Sequence, residues 1–337
     1  MGGKTINRQW LINGNPRGRA LALTDFVESE AELDPLEDGD VRVKVEYLSF
    51  DPSQKGQLEN IAGYSRGGAT GEVMYARGIG EVVESRSASV AVGTKVAGFV
   101  GWQEYASLPA RSLEIVPDDD LLTARLGPLG GTGLTAYFGL LRVGRPEPGD
   151  MVVVSGAAGA VGSMVGQIAE IAGCRTVGIA GGAEKCAWLV DEVGYDAAID
   201  YKSENIKARL KELCPDGINV FFDNVGGTAL NDALARIAPH ARIVICGGIS
   251  RYEQETLPPG PANYFNIVFR QANIEGFLLS GYEAEYDVAR ERITEWIRSG
   301  AIVYKEDVQQ GFENIPATLL RLFSGKNFGK QLLKMGD

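Results

Sequence analysis

The chain has 337 residues, of which 45% are hydrophobic and 23% charged, as expected for a globular protein with room for two domains. A net charge of −11 argues against nucleic acid or an anionic membrane as partner, and no apolar run approaches the ~20 residues of a membrane span. One histidine and four cysteines with no C-x-x-C pair argue against most zinc sites and against Ser–His or Cys–His catalysis. The N-terminus has no apolar signal core, so we expect a cytoplasmic protein.

Residues 1–127 are predicted to be mostly β-structure. The alternating run Val41–Tyr47 and two shorter runs, 78–83 and 95–100, are typical of strands separated by Gly and Pro. From about residue 130 the pattern changes to alternating strands and helices, which predicts a doubly wound parallel sheet over 128–299. A β/α tail follows and is predicted to return to the first domain.

The segment Val152–Ser163 carries the clearest functional signal. It reads as a buried β-branched strand, a turn of small residues and the first turn of a helix. Within it, Ala157, Gly159 and Gly162 fill the A-x-G-x-x-G positions of a dinucleotide fingerprint. Gly159 lets the backbone approach a pyrophosphate, and Gly162 lets the helix pack closely on its strand. Ala in place of the first Gly makes the match imperfect, and the motif alone is also compatible with an ordinary turn.

The end of the next predicted strand indicates which dinucleotide binds. The sequence there is Ala180-Gly-Gly-Ala-Glu-Lys-Cys186, with no carboxylate at the strand end to bind a ribose 2′-hydroxyl. Gly181 leaves space instead, and Lys185 follows within one helical turn. This combination suits a 2′-phosphate and favours NADP(H) over NAD(H). The alternative is that Lys185 is a solvated lysine at a helix N-terminus.

Residues that follow the other predicted strands are further candidates, because ligands of such sheets bind at the carboxyl ends of strands. Tyr201 follows 197–200, Asn224 follows 220–223, and Cys246 to Tyr252 lie at the end of the strand that begins at 242. Gly and Asn also suit ordinary turns, which is the alternative for any one residue. The single histidine, His240, is interpreted as a surface residue or cap at a helix-to-strand turn.

Several longer motifs follow one another along nearly the whole chain. They are Asn7-Arg-Gln9, Leu48-Ser-Phe-Asp-Pro52, Gly71-Glu-Val-Met74, Gly133–Gly139, Ser155–Ser163, Phe222–Gly227, Cys246–Ser250 and Gly325–Lys330. In these motifs the chain resembles the zinc-independent medium-chain dehydrogenase/reductases. Among them it is similar to the leukotriene/prostaglandin and curcumin reductases, also called alkenal/one oxidoreductases.

The resemblance implies an α/β fold with two domains: a GroES-like β domain (1–127 and 300–337) and a Rossmann NADP-binding domain (128–299). It implies NADPH-dependent reduction of the C=C bond of an α,β-unsaturated carbonyl, a small-molecule substrate, no metal, and a homodimer formed near 274–279. Carried over by motif, Lys185 and Tyr201 bind the 2′-phosphate, and Gly159, Ala160 and Val161 lie against the pyrophosphate. The remaining implied cofactor residues are Gly181, Asn224, Cys246, Gly247, Ile249, Phe277, Leu279 and Asn327.

The chemistry requires a hydrogen-bond donor for the charge that develops on the carbonyl oxygen. Candidates are the hydroxyls of Tyr252 and Tyr64 and the ribose 2′-hydroxyl, with a surface-loop tyrosine as the alternative for Tyr64. Two other functions remain open: a quinone reductase with the same cofactor residues, and a non-enzymatic NADPH-binding protein. The run Ser53-Gln-Lys-Gly56 departs from the family pattern near the expected substrate mouth, so the substrate is not predicted.

Overall fold

The structure is a computed structural model that describes residues 5–59, 68–256 and 258–336. The chain divides into two compact units. The first comprises Met1–Leu126, Glu306–Asn327 and Gln331–Asp337, and the second comprises Gly127–Lys305 and Phe328–Lys330. In the described ranges no helix is long and apolar enough to cross a membrane.

The described residues up to 126 form β-structure with one short α-helix. The strands are β1 (Ile6–Ile12), β2 (Phe26–Glu32), β3 (Asp40–Ser49), β4 (Arg77–Ser85), β5 (Lys95–Phe99), β6 (Tyr105–Pro109) and β7 (Glu114–Ile115); the helix is α1 (Ser53–Leu58). β1 and β2 form an antiparallel pair, and β3 pairs with both β4 and β6. Trp102 is fully buried between Phe26 and Phe50, at ring-centroid distances of 4.8 and 5.8 Å, so this unit has its own aromatic core.

The second unit contains a parallel sheet with helices between its strands. The strands are β8 (Met151–Ser155), β9 (Arg175–Ala180), β10 (Ala197–Asp200), β11 (Ile218–Asp223), β12 (Ile237–Ile245) and β13 (Asn273–Gly276). The helices are α2 (Gly131–Phe138), α3 (Gly162–Ile171), α4 (Ala183–Asp191), α5 (Ile206–Leu213), α6 (Gly227–Leu234), α7 (Asn266–Phe269) and α8 (Tyr286–Arg298). Within the described ranges the strand order is β10-β9-β8-β11-β12-β13, the doubly wound Rossmann order.

The core of this sheet follows from its sequence. Val152, Val153 and Val154 of β8 are fully buried because helices cover both faces of a central parallel strand. The last strand, β13, ends at Gly276, and a 3₁₀ segment, Leu279–Glu285, follows it.

The chain then returns to the first unit. It adds β14 (Glu306–Gln310), α9 (Ile315–Phe323) and β15 (Lys330–Lys334). In the described residues the larger sheet has the order β14-β15-β3-β4-β5-β7, with β6 also paired to β3. This antiparallel sheet and the Rossmann sheet together confirm the predicted α/β fold class, a GroES-like β domain combined with a Rossmann domain.

Candidate active site

All strands of the Rossmann sheet run parallel, so their carboxyl ends meet at one edge. Most of the predicted cofactor residues lie in the turns, or in the first helical turns, that follow those ends. The structure brings to this edge Gly159, Ala160 and Val161 after β8, Gly181 and Lys185 after β9, Tyr201 after β10, Asn224 after β11, Cys246, Gly247, Ile249 and Tyr252 after β12, and Phe277 and Leu279 after β13. This convergence is the arrangement in which doubly wound sheets bind ligands.

The fingerprint turn between β8 and α3 is tightly packed at its base and open at its tip. Ala157 and Gly162 are buried, whereas Gly159 and Ala160 are partly exposed. A Cβ atom at Gly162 would lie 2.7 Å from the Cα of Ala157, so only glycine fits there. The predicted close packing of helix on strand is therefore present. At Gly159 and Ala160 the turn has no side chain larger than a methyl group, so its backbone faces the sheet edge. Such a turn fits a dinucleotide pyrophosphate.

The turn after β9 is covered by the residue that follows β10. A Cβ atom at Gly181 would lie 2.7 Å from the Tyr201 ring, so the tyrosine lies directly against this glycine. Tyr201 is still 53% exposed. Lys185 is half-buried in the first turn of α4, and its neighbour Glu184 is exposed. Glycine, tyrosine and lysine thus surround one turn, and the lysine brings an ammonium group to this side of the sheet edge.

Asp200 also acts on this turn, a role that sequence analysis did not assign. Its Oδ1 accepts hydrogen bonds from the backbone N–H of Gly182 at 2.7 Å and of Lys202 at 3.0 Å, and its Oδ2 accepts one from the Ser203 hydroxyl at 2.8 Å. The hydrogen bond from Gly182 contributes most to lowering the pKa of the Asp200 carboxyl below its usual value. The carboxylate therefore holds the turn. The signal in the sequence was an Asp at a strand end, followed two and three residues later by donors.

A hydrogen-bonded cross-link joins β8 and β11, where the strand order reverses. The Asn224 side-chain amide donates to the carbonyl of Ser155 at 2.8 Å, and the Asn224 backbone N–H donates to the Ser155 hydroxyl at 2.9 Å. That hydroxyl donates to Asp223 Oδ1 at 2.7 Å. The Asn224 side chain is thus held at the topological switch point, the usual ligand crevice of such sheets.

Asp223 is almost fully buried beneath this crevice. Its Oδ1 also accepts from the backbone N–H groups of Val225 and Gly226, while its Oδ2 has no hydrogen-bond partner among the described residues. Burial raises the pKa of Asp223 despite these hydrogen bonds. Burial, together with the nearby Asp223 charge, also raises the pKa of the Cys246 thiol to about 12. Cys246 therefore stays protonated at neutral pH and offers a thiol, not a thiolate, to the site.

The segment after β12 folds back over Asn224. The backbone N–H of Ile249 donates to the Asn224 carbonyl at 3.4 Å, and the Ser250 hydroxyl donates to the Val225 carbonyl at 2.7 Å. A short 3₁₀ turn, Ile249–Arg251, follows, and Tyr252 is partly buried at its end. These contacts determine the position of Tyr252 relative to the sheet edge.

Phe277 lies beside the end of α2. A Cβ atom at Gly139 would come within 2.9 Å of the Phe222 ring and would also strike Phe277, so that glycine makes room for both aromatic rings. Leu279 begins the 3₁₀ segment two residues further on. The glycine at the end of the Gly133–Gly139 motif thus acts by admitting Phe277 to this edge.

Of the other residues named in the sequence analysis, two stay predictions and one has a different environment from the one predicted. Tyr64 lies outside the described residues. Asn327 belongs to the first unit. His240 is not at a helix-to-strand turn as predicted: it is an exposed residue inside β12 with φ of 60°, nearer the amino end of that strand than the carboxyl edge. A histidine at that position is not part of the site.

The departure from the family pattern in α1 is mainly a matter of packing. Lys55 is fully buried in the first unit, forms an ion pair with Glu59 and donates to the Pro16 carbonyl at 3.3 Å. Gln54 is also buried and donates to the Tyr75 carbonyl at 3.1 Å. Both side chains are therefore hydrogen-bonded inside the first unit, although the sequence placed them near a substrate mouth.

Sequence analysis also missed two segments that contact the fingerprint region. The backbone N–H of Gly329 donates to the Ala158 carbonyl at 3.2 Å. The Gln167 side chain of α3 makes two hydrogen bonds to the backbone of Val303, at 2.7 and 2.9 Å. Segments 303–305 and 328–330 are joined by a 2.8 Å hydrogen bond from the Lys330 N–H to the Lys305 carbonyl. Both segments belong to the Rossmann unit.

Comparison with known proteins agrees with this architecture. Residues 8–116 match the family model "N-terminal domain of oxidoreductase" and residues 160–295 match "Zinc-binding dehydrogenase". The chain is 34% identical to the NADPH-dependent curcumin reductase of Escherichia coli, over 99% of both chains. It is 40% identical to the NADP(+)-dependent 2-alkenal reductase of Nicotiana tabacum, over 89% of this chain and 88% of that one. The crystal structure of CurA from Vibrio vulnificus in complex with NADPH matches with a TM-score of 0.93 and 34% identity, covering 98% and 99% of the two chains.

The chain belongs to the medium-chain dehydrogenase/reductases, in the group of prostaglandin, curcumin and 2-alkenal reductases. It is thus an oxidoreductase by family. Among the residues the structure describes, no group of three or more His, Cys, Asp or Glu side chains is placed to hold a metal ion.

Proposed function

We propose that this chain is an NADPH-dependent reductase of the C=C bond of α,β-unsaturated aldehydes and ketones. The observation that carries the proposal is the set of residues at the carboxyl edge of the Rossmann sheet, from the fingerprint turn to Phe277. The names of its relatives support the choice of reaction, since they include curcumin and 2-alkenal reductases. The fit of the turn to a dinucleotide supports the cofactor.

When bound, NADPH would supply the hydride that reduces the β-carbon of the substrate. The protein's task is to orient both partners and to stabilise the negative charge that moves to the carbonyl oxygen. The fingerprint turn would hold the pyrophosphate, with Lys185 and Tyr201 at the 2′-phosphate. Asn224, Cys246, Ile249 and Phe277 would line the nicotinamide half, and the assignment of Asn327 to the cofactor stays a prediction.

Tyr252 is the proposed donor to the developing oxyanion, assisted by the ribose 2′-hydroxyl. Replacing Tyr252 with phenylalanine is expected to lower kcat by about 10- to 100-fold, because one oxyanion donor contributes ~2–4 kcal/mol and the ribose partly substitutes for it. Steady-state kinetics with an enone would measure this, with the KM for NADPH unchanged. Tyr264→Phe, at a residue 60% exposed on the same unit, is the matched control. Complete loss of turnover with intact NADPH binding would show that Tyr252 is essential rather than assisting.

The test of the function is cofactor oxidation with three classes of acceptor. NADPH and NADH would each be offered with an aliphatic enal, an aryl enone and a quinone, followed by product analysis. Saturated aldehyde or ketone formed with a strong preference for NADPH is the expected result. Quinone turnover without enone turnover would assign a quinone reductase instead. Tight NADPH binding without turnover on any acceptor would favour a non-enzymatic binding role.

We also propose that the protein is a homodimer formed through the edge strand β13. Ile274 of this strand is 40% exposed, and Phe269, just before it, is 73% exposed. In the described residues β13 is an edge strand, and an exposed apolar side chain on it, with another just before it, suits pairing with a second copy about a two-fold axis. Light scattering is expected to give twice the chain mass, and Phe269→Glu to give a monomer. Val92→Glu, at an exposed valine of the first unit, is the control; a monomeric wild-type protein would contradict the proposal.

A further inference from the structure

A cluster of two lysines and two aromatic rings lies beside the fingerprint turn, and only one of its residues, Lys185, was predicted to bind the cofactor. We call it the lysine–aromatic cluster: Lys185, Trp188, Lys305 and Phe328. Trp188 and Phe328 meet edge to face with ring centroids 5.0 Å apart. The Lys305 ammonium lies 3.9 Å from the centroid of the Phe328 ring and 5.8 Å from that of Trp188. The Lys185 ammonium lies 5.9 Å from the centroid of the same Phe328 ring.

Hydrogen bonds hold the two chain segments that contain Lys305 and Phe328. Lys305 follows the backbone segment held by Gln167 of α3, and Phe328 precedes Gly329, which is bonded to Ala158 of the turn. The two segments are bonded to each other through Lys330 and Lys305. Lys305 therefore occupies a defined position beside α3 and α4, although it comes 120 residues after Lys185 in the sequence.

The side chain of Lys305 is exposed to solvent. The Phe328 ring holds its ammonium by a cation–π contact, which is worth ~0.5–1 kcal/mol at an exposed site. Both ammonium groups lie within 5.9 Å of the centroid of one ring, so the cluster gathers positive charge and is suited to an anion.

The position of the cluster indicates which anion it binds. Trp188 and Lys185 are one turn apart on α4, the helix that follows β9, and the turn between β9 and α4 faces the adenine ribose in folds of this kind. We propose that Lys305 is a second cation for the 2′-phosphate of NADPH, held in place by Phe328, and so a residue that determines cofactor specificity. This rests on the proposed function, because it assumes that NADPH is the cofactor.

The test compares cofactor binding by the full chain and its variants. Lys305→Gln is expected to raise the Kd for NADPH about five-fold and to leave the Kd for NADH unchanged, since ion pairs at exposed sites contribute up to ~1 kcal/mol. Lys305→Arg is expected to retain the wild-type values. Phe328→Leu keeps the charge of Lys305 but removes the aromatic ring that it contacts. We therefore expect a smaller loss of affinity, also confined to NADPH. Lys211→Gln, an exposed lysine of α5, is the matched control for net charge.

Binding of 2′,5′-ADP and of ADP would separate the 2′-phosphate from the pyrophosphate. If Lys305→Gln weakens only 2′,5′-ADP, the inference holds. Equal weakening of both ligands would place the charge at the pyrophosphate and overturn it, as would no change in either. A wild-type protein without preference for NADPH would overturn the proposed cofactor and this inference together. If Lys185→Gln abolishes the preference while Lys305→Gln leaves it intact, only the inference fails.

Discussion

Replacing Gly162 with alanine is expected to weaken NADPH binding by more than tenfold and to lower the free energy of unfolding by about 1–3 kcal/mol, as overpacking does in well-packed interiors. The added methyl group would lie 2.7 Å from the Cα of Ala157 and would also strike the Gly156 carbonyl. Both atoms are backbone, so relief requires α3 to move away from β8. That movement would open the turn that we propose for the pyrophosphate.

The measurements are thermal or urea unfolding and a direct titration with NADPH. Gly131→Ala is a close control, because Gly131 is also the first residue of its helix and an added Cβ would meet nothing within 4 Å. That variant is expected to bind NADPH as the wild type does. Wild-type affinity in Gly162→Ala would show that the packing of α3 on β8 does not control the cofactor site.

Replacing Lys185 with glutamine is expected to raise the KM for NADPH by about 10- to 100-fold and to leave the KM for NADH nearly unchanged. Hydrogen bonds to charged groups contribute ~1.5–3 kcal/mol, and the 2′-phosphate to which Lys185 would bond is present in NADPH and not in NADH. Lys185 is half-buried beside the turn that Tyr201 covers, so its charge is less screened than that of a fully exposed lysine.

The decisive quantity is the ratio of kcat/KM for NADPH to that for NADH, measured at low and at high salt. A fall in this ratio, with a weaker salt dependence in the variant, would support a lysine at the 2′-phosphate. Lys211→Gln again controls for net charge. An equal loss with both cofactors would instead indicate that Lys185 supports the fold of the turn.

Much of the fold and part of the site were predictable because they depend on local sequence. The buried valines of β8 and the small residues that follow predict a strand, a tight turn and a helix, and the structure contains all three. Parallel strands bring their carboxyl ends to one edge, so Tyr201, Asn224 and Cys246 could be assigned to that edge from their positions after predicted strands.

Other features depend on contacts between distant parts of the chain and had no local signal. Asp200 bonds to Gly182 across neighbouring strands, and Asp223 is buried beneath Asn224 by the packing of β8 on β11. The burial of Lys55 also had no signal in the sequence. A lysine is expected to be exposed to water, and it is buried here because folding brings Glu59 against it as a partner.

By itself, the sequence determined the order of the elements, the tight turn between β8 and α3 and the family, since these follow from periodicity, glycine positions and contiguous motifs. Only the tertiary structure decided which residues from separate segments share a site. Lys305 and Phe328 meet Lys185 because backbone hydrogen bonds dock two segments, far apart in sequence, on the fingerprint region. No short-range pattern encodes such a juxtaposition, because it arises from the packing of the whole unit.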